Sequence, residues 1–123
     1  LGTGDKSEMM LGYFTKYGDG GADLFPIADL YKTEVRSLAQ YLGIPAKIIA
    51  KKSSARLWKG QTAEGEIGMK YEEIDKILLH LEYNDINGFS KHTKLNENNI
   101  SKVKSLLEKN EHKQNMPPIC KLK

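Results

Sequence analysis

Apolar residues recur every three or four positions in three parts of the chain, as they do along the buried face of an α-helix. The strongest pattern predicts a helix from Leu30 to Leu42, with Asp29 as its N-cap and Gly43 at its C-terminal end. Similar spacing predicts helices from Tyr71 to Glu82 and from Glu97 to Lys109. Helices therefore dominate the predicted structure.

Shorter elements are predicted before and between these helices. Leu1 is expected to end a β-strand, and Gly2 to Asp5 form a turn. The turn leads into a helix from Ser7 to Tyr17, which Gly18 is placed to terminate. Pro45 to Ala50 predict one short helical turn.

Two segments lack any sustained period. Residues 51–69 are polar and contain glycine, so we expect a long active-site loop rather than regular structure. Residues 110–123 contain Pro117 and Pro118, which favour an extended tail. Asn96 is the expected N-cap of the last helix.

The composition is that of an ordinary soluble domain, with 123 residues, 39% hydrophobic and 28% charged. A net charge of +3 is too small to indicate a nucleic-acid or membrane partner. Cys120 is the only cysteine, which excludes an intrachain disulfide and favours a reducing compartment. No apolar run approaches the roughly 20 residues that span a bilayer. We therefore expect a cytosolic protein, and the start at Leu1 without a methionine suggests the downstream part of a longer chain.

The run from Gly2 to Ser7 is the first candidate for chemistry. A nucleotide phosphate loop needs glycine directly before its lysine, and here Asp5 precedes Lys6. A glycine turn that feeds a helix N-terminus still suits a phosphate. Glu8 lies in the first helical turn, where the helix dipole alone favours a carboxylate, so it is either a ligand or an ordinary residue of a helix start. Lys32 is less ordinary, because a cation at a helix start opposes the dipole unless an anion lies nearby.

Eight runs of sequence, taken together, carry a resemblance to a known family. The most specific is FTKYGDGGAD at 14–23, and the others are GTGDKSE at 2–8, LYKT at 30–33, SSARLW at 53–58, GQT at 60–62, EIG at 66–68, YEEID at 71–75 and EHK at 111–113. They are spread over nearly the whole chain. With them the chain closely resembles the C-terminal half of ammonia-dependent NAD synthetases.

The resemblance implies a fold and an activity. In that family ATP adenylates the nicotinate carboxylate of deamido-NAD with loss of pyrophosphate, and ammonia then displaces AMP to give NAD. The implied fold is α/β, a portion of a doubly wound parallel sheet of the adenine-nucleotide alpha-hydrolase (ATP-pyrophosphatase) type that is helix-rich in this chain. The implied assembly is a cytoplasmic homodimer without nucleic-acid or membrane partners. Mg²⁺ is the implied cofactor, and ATP, deamido-NAD and ammonia are the implied substrates.

The resemblance also implies roles for nine residues. Thr3, Lys32 and Ser54 would contact ATP, and Glu8 would bind Mg²⁺. Deamido-NAD would be held by Lys16, Asp19, Asp23, His112 and Lys113. No residue is implied as a covalent catalyst.

One departure from the family pattern leads to a further expectation. The Ser-Gly-Gly-x-Asp-Ser pyrophosphate loop of the family, which supplies a second magnesium carboxylate, does not occur in these 123 residues. We therefore expect the chain alone to be inactive. Two alternatives stay open. One is another ATP-pyrophosphatase amidotransferase, which the loop from Lys16 to Asp23 disfavours. The other is a non-enzymatic nucleotide- or RNA-binding module, for which the lysine-rich last helix and the tail would be the footprint.

Overall fold

The computed structural model describes residues 1–87 and 95–122. These residues form six helices: α1 Lys6–Leu11, α2 Lys32–Tyr41, α3 Ala46–Ile49, α4 Ala63–Ile67, α5 Tyr71–Asn87 and α6 Glu97–Gln114. Within the described ranges there is no β-strand, so the parallel sheet, and Leu1 as the end of one of its strands, stay predictions. None of the described helices combines the length and the apolar character needed to cross a membrane.

The core forms around α5, whose apolar face is buried as its spacing predicts, with Leu81 partly buried. Ile74, Ile77 and Leu78 are inaccessible to solvent and form one cluster with Leu11 of α1 and Val103 of α6. Burial of such side chains stabilises the fold by about 1.5 to 3 kcal/mol each. Ala63 and Ile67 of α4 belong to the same cluster, so the helices that converge on it are α1, α4, α5 and α6.

Helix α1 is shorter than predicted, because it ends at Leu11 instead of Tyr17. Gly12 follows in the left-handed conformation at φ +67° and its N–H donates to the Met9 carbonyl, so Gly12 and not Gly18 terminates the helix. A side chain at Gly12 would overlap Asn110 of α6, since an added Cβ would lie 2.2 Å from the Asn110 Cβ. Glycine is thus required there both by backbone conformation and by close packing.

The N-terminus of α2 is capped differently from the prediction. The helix begins at Lys32 rather than Leu30, and Asp29 does not cap it. Its first turn is instead served by acceptors on other helices: the Ser7 hydroxyl accepts from the Lys32 N–H at 2.9 Å, and Asp75 accepts from the Thr33 N–H at 2.9 Å. Two long-range contacts thus replace the predicted Asp29 cap, beside a local bond from the Tyr31 N–H to Glu34 at 2.8 Å.

Further boundaries differ where local signals were weak. The predicted loop at 51–69 contains α4, which Thr62 caps by accepting from the Gly65 N–H at 3.1 Å. Helix α5 continues beyond Glu82. The short turn after Pro45 is confirmed as α3.

The last helix corrects the prediction of an extended tail from residue 110. Helix α6 begins at Glu97 with Asn96 as its cap, as predicted, but it continues to Gln114. Of the predicted tail, residues 115–122 lie beyond the helix and have no regular structure. Because the added turns pack on α1, where Gln114 donates to the Met10 carbonyl at 2.9 Å, His112 and Lys113 are helical.

Candidate functional site

A lysine and two carboxylates meet where α1 and α2 begin. The Lys32 ammonium forms ion pairs with Asp5 and with Glu8, the latter at 2.6 Å. The side chains of Lys32, Asp5 and Glu8 are 12%, 1% and 20% exposed. This is a largely buried cluster with one cation for two anions.

The local sequence fixes both carboxylates. Asp5 is the N-cap of α1 and accepts from the Glu8 N–H at 3.0 Å, while Glu8 reaches back to the Asp5 N–H at 3.3 Å. This reciprocal capping box sets both acids on the first turn of α1. Lys32 completes the cluster from the first position of α2, with its ammonium 5.2 Å from the centre of the Tyr71 ring.

The electrostatics of the cluster follow from burial and from the uneven charge count. Burial raises the pKa of Glu8, and the neighbouring Asp5 charge adds to this, whereas Lys32 acts in the opposite direction. Burial lowers the pKa of Lys32, but the hydrogen bonds and charges of Asp5 and Glu8 outweigh it and raise that pKa. Lys32 therefore stays protonated while facing an excess of negative charge.

The cluster forms one wall of a cavity of about 530 Å³. Its lining comes from the turn before α1, from α1, α2, α4 and α6, and from the loops that follow α1 and α3. The lining residues are Thr3, Glu8, Gly12, Tyr13, Phe14, Thr15, Asp19, Lys32, Ser53, Ser54, Ala55, Leu57, Gln61, Glu66 and Lys113. Six of the nine residues that the resemblance singles out are among them: Thr3, Glu8, Asp19, Lys32, Ser54 and Lys113. The structure thus brings together side chains that are up to 110 positions apart, from Thr3 to Lys113.

Lys113 reaches the cavity from the last turn of α6. Its ammonium donates to the carbonyls of Gly12 at 2.6 Å and Phe14 at 2.9 Å, and it lies 5.6 Å from the centre of the Phe14 ring. The side chain therefore lines the cavity and also joins α6 to the loop after α1.

Three predicted residues do not line this cavity. Lys16 donates to the carbonyls of His112 and Asn115 at 2.5 and 2.6 Å, so its ammonium serves the C-terminal end of α6. His112 is exposed and its Nδ1 lies 3.2 Å from the Lys109 carbonyl. Asp23 is exposed on the loop before α2. Asp19, by contrast, lines the cavity and accepts from the Thr15 N–H at 2.8 Å.

A second polar group lines the cavity without having been predicted. Glu66 of α4 accepts hydrogen bonds from the Tyr13 hydroxyl and, at 2.9 Å, from the Gln61 side chain. Burial first, and the Glu66 carboxylate second, raise the pKa of Tyr13 to about 12. The only signal for these residues was the runs at 60–62 and 66–68, to which no role was attached.

The donor set at the cavity fits a magnesium ion bound by one protein carboxylate. Across the described residues no three His, Cys, Asp or Glu side chains form a metal-binding group. Mg²⁺ needs only one or two carboxylates when substrate phosphates and waters supply the rest. Glu8 faces the cavity, whereas Asp5 is almost completely buried and is engaged by Lys32 and the Glu8 N–H. Glu8 is thus the side chain that fits this role.

The sequence matches a protein family over nearly its whole length. The family model described as NAD synthase matches residues 1–117. The NH(3)-dependent NAD(+) synthetase of Archaeoglobus fulgidus is 51% identical over 122 residues, which are 99% of this chain and 46% of that protein. The corresponding synthetase of Sulfurisphaera tokodaii is 50% identical over 125 residues, 99% of this chain and 44% of that protein. The chain thus spans slightly less than half the length of these relatives.

Two solved structures have the same arrangement of helices. The NMN synthetase from Francisella tularensis superposes with a TM-score of 0.81 and 34% identity, over 97% of this chain and 45% of that one. The NH3-dependent NAD synthetase from Campylobacter jejuni, solved with a nitrate ion, gives a TM-score of 0.72 and 34% identity, over 98% of this chain and 44% of that one. With the match to the family model over residues 1–117, these similarities show that the chain belongs to the NAD synthase family.

Proposed function

We propose that the protein to which this chain contributes amidates deamido-NAD to NAD with ATP and ammonia, as a carbon–nitrogen ligase. About 50% identity to curated NH(3)-dependent NAD(+) synthetases supports the proposal. The observation that carries it is the pairing of Glu8 with Lys32 at the wall of a cavity that also contains Thr3, Ser54 and Lys113. These are donors and charges of the kind that polyphosphate substrates require.

The reaction divides into two steps. The nicotinate carboxylate of deamido-NAD attacks the α-phosphorus of ATP, the bond to pyrophosphate breaks, and an acyl adenylate forms. Ammonia then adds to the activated carbonyl, AMP leaves and a proton is released, which gives the amide of NAD. Neither step needs a covalent nucleophile from the protein, so positioning and charge neutralisation are what the residues supply.

Lys32 and Glu8 serve the ATP side in this proposal. Lys32 carries a permanent positive charge to a triphosphate, because its pKa is raised within the cluster. Glu8 would hold Mg²⁺, which when bound neutralises charge on the phosphates. Thr3 and Ser54 add hydroxyl groups that donate to phosphate or ribose oxygens.

The deamido-NAD side involves two surfaces. Lys113 and Asp19 contact the part of the dinucleotide inside the cavity. Lys16, Asp23 and His112 contact the part that extends beyond it. The hydrogen bond of the Lys16 ammonium to the His112 carbonyl supports grouping these two residues, because it joins the loop after α1 to the end of α6.

The remaining features belong to the whole protein. We propose a doubly wound parallel sheet with the family's pyrophosphate loop in the part of the relatives that this chain lacks. A cytoplasmic homodimer is part of the same proposal. A second candidate product is NMN, because the similar Francisella tularensis structure is named an NMN synthetase and superposes with a TM-score of 0.81. The sequence identity to that protein, 34%, is lower than the 51% identity to the Archaeoglobus fulgidus NAD(+) synthetase, so NAD is the product proposed here.

A ligand comparison tests the proposed substrate class. The protein used is the extended chain, defined as this sequence preceded at Leu1 by the part of the Archaeoglobus fulgidus relative that lies N-terminal to the matched segment. We expect ATP with Mg²⁺ and deamido-NAD each to raise its melting temperature at millimolar concentration, with nicotinate mononucleotide less effective. Stabilisation by single-stranded RNA and not by deamido-NAD would contradict the proposal, and equal or greater stabilisation by the mononucleotide would favour the NMN product.

A further inference from the structure

A buried hydrogen-bond chain joins α1 and α5 to the first turn of α2. The Ser7 hydroxyl donates to Asp75 Oδ1 at 2.5 Å and accepts from the Lys32 N–H at 2.9 Å. Asp75 Oδ2 accepts from the Thr33 N–H at 2.9 Å. Ser7 is 0% and Asp75 is 6% exposed. None of the roles derived above uses either side chain.

Asp75 lies on α5, yet its carboxylate accepts from the first turn of α2. A helix start is ordinarily capped by a residue of its own segment, and a buried carboxylate is costly unless its oxygens are hydrogen-bonded. Both oxygens of Asp75 have partners, and one of these partners, Ser7, is itself held by its place in α1. Because the Ser7 hydroxyl donates its hydrogen bond to Asp75, a lone pair of the Ser7 oxygen is directed at the Lys32 N–H.

Lys32 is consequently held by α1 at both ends. Ser7 binds its backbone N–H, and the next residue, Glu8, binds its ammonium at 2.6 Å. A rotation or shift of the start of α2 would break the first contact and move the ammonium away from Asp5 and Glu8.

We propose that Asp75 is a positioning residue, which acts through Ser7 and the start of α2 to keep the Lys32 ammonium at the cavity wall. The proposal rests on the proposed function, in which Lys32 contacts ATP. It assigns to Asp75 a specific effect on ATP that a purely structural residue would not have.

Asp75→Asn in the extended chain tests this. The amide that replaces the carboxylate has only one acceptor oxygen. If that oxygen faces Ser7, the Thr33 N–H loses its acceptor; if it faces Thr33, the bond to Ser7 reverses, and the Ser7 oxygen must accept from both the amide and the Lys32 N–H while its own proton loses its partner. We expect the KM for ATP to rise about tenfold, because a small displacement of a positioned charge lowers substrate affinity, while the KM for deamido-NAD changes less than twofold. Hydrogen exchange at the start of α2 should become faster.

Two further variants make the result decisive. Ser7→Ala removes the acceptor for the Lys32 N–H without altering a charge and should raise the KM for ATP in the same way. Glu73→Gln is the matched control, since it makes the same acid-to-amide change on α5 but at a residue bonded to Asn99 of α6, and it should change neither constant.

The outcomes separate this proposal from the proposed function. If Asp75→Asn and Ser7→Ala leave ATP affinity and the hydrogen exchange of α2 unchanged, or raise the KM of both substrates equally, the positioning role is wrong. If the unsubstituted extended chain forms no NAD, the proposed function fails, and the Kd for ATP measured by calorimetry replaces the KM in the same comparison. Should Asp75→Asn not fold, the result with Ser7→Ala decides.

Discussion

Lys32 has the most constrained environment among the charged residues at the cavity. Its ammonium pairs with Asp5 and Glu8, its backbone N–H binds Ser7, and it lies 5.2 Å from the centre of the Tyr71 ring. A lysine at a helix start is unfavourable with respect to the dipole, and the two carboxylates of α1 remove that conflict. The sequence indicated an anion near Lys32, and the structure supplies two from the protein itself.

Glu8→Gln in the extended chain should lower turnover on the order of 10²-fold or more. Loss of the carboxylate removes the proposed Mg²⁺ ligand and one charge opposite Lys32, where the leaving pyrophosphate must be stabilised. Helix α1 should persist, because glutamine also serves the third position of a capping box. Steady-state kinetics measure the effect.

Glu34→Gln is the control for that substitution. Glu34 occupies the equivalent position in the first turn of α2, where it accepts from the Tyr31 N–H at 2.8 Å, but it does not line the cavity. We expect its turnover to be nearly that of the unsubstituted chain. Equal losses from both variants would assign Glu8 to helix capping alone.

Lys113→Ala should raise the KM for deamido-NAD more than that for ATP. A charge-assisted hydrogen bond to a substrate contributes about 1.5 to 3 kcal/mol, which corresponds to roughly 10- to 100-fold. Lys109→Ala, one turn earlier on α6 and exposed, is the control and should leave both constants unchanged. An equal rise in the KM of both substrates with Lys113→Ala would mean that Lys113 acts only through its contacts with the Gly12 and Phe14 carbonyls and does not bind deamido-NAD.

At the scale of elements, the end of α1 is decided by packing as much as by local sequence. Gly12 and Gly18 are both plausible terminators, and the close approach of Asn110 requires glycine at the first of them. The start of α2 is a similar case, because its acceptors come from Ser7 and Asp75 on other helices.

Gly12→Ala should lower the free energy of unfolding of the extended chain by about 2 kcal/mol or more. A left-handed alanine costs about 1 kcal/mol or slightly more, and the overlap with Asn110 adds to this. Gly43→Ala is a matched control, since Gly43 also has a left-handed φ of +71° but no atom lies within 4 Å of its added Cβ. Urea unfolding measures both, and similar losses for the two variants would mean that packing on Asn110 contributes little.

Glu82 joins α5 to α1 and should make stability depend on pH in the acid range. Hydrogen bonds from Lys6 at 2.8 Å and from the Tyr31 hydroxyl at 2.5 Å lower the pKa of this carboxyl. The contribution of Glu82 to the free energy of unfolding is therefore complete above the ordinary pKa of a glutamate, about 4.3. It is lost as the pH falls through the lower pKa that Glu82 has in the folded protein.

Glu82→Gln should accordingly destabilise the extended chain by about 1 kcal/mol or less at pH 7, because the pair is partly exposed. The difference from the unsubstituted chain should shrink progressively below about pH 4. Urea unfolding across this pH range measures it, with Glu111→Gln, an exposed position on α6, as the control. A difference that stays constant down to pH 2.5 would show that the charge of Glu82 is not what stabilises the contact.

Across the whole molecule, features determined by neighbouring residues could be predicted from the sequence, whereas contacts between distant residues could not. The Asn96 cap and the apolar face of α5 are determined within one or two turns, and both predictions are confirmed. The group of Tyr13 and Glu66 was not predicted, because their contact spans 53 positions and neither residue is unusual where it stands. Lys16 was expected to contact a substrate, but its ammonium binds carbonyls at the end of α6. These contacts could not be predicted, because α6 extends five residues beyond the predicted end at Lys109.

The apolar face of α2 is left largely uncovered by the part of the chain that the structure describes. This helix gave the strongest amphipathic signal, yet none of its residues is buried, and Leu38 and Leu42 are 38% and 63% exposed. The relatives are about twice as long as this chain. We therefore expect the apolar face of α2 to pack against the part of the family's chain that precedes the matched segment.

The formation of NAD by the extended chain tests the central claim most directly. With ATP, Mg²⁺, ammonia and deamido-NAD, a cooperatively folded extended chain should release AMP and NAD in equal amounts. The 123-residue chain alone should form neither, because it lacks the pyrophosphate loop of the family. An extended chain that unfolds cooperatively but forms no NAD, or NAD formation by the 123-residue chain at a comparable rate, would contradict the account.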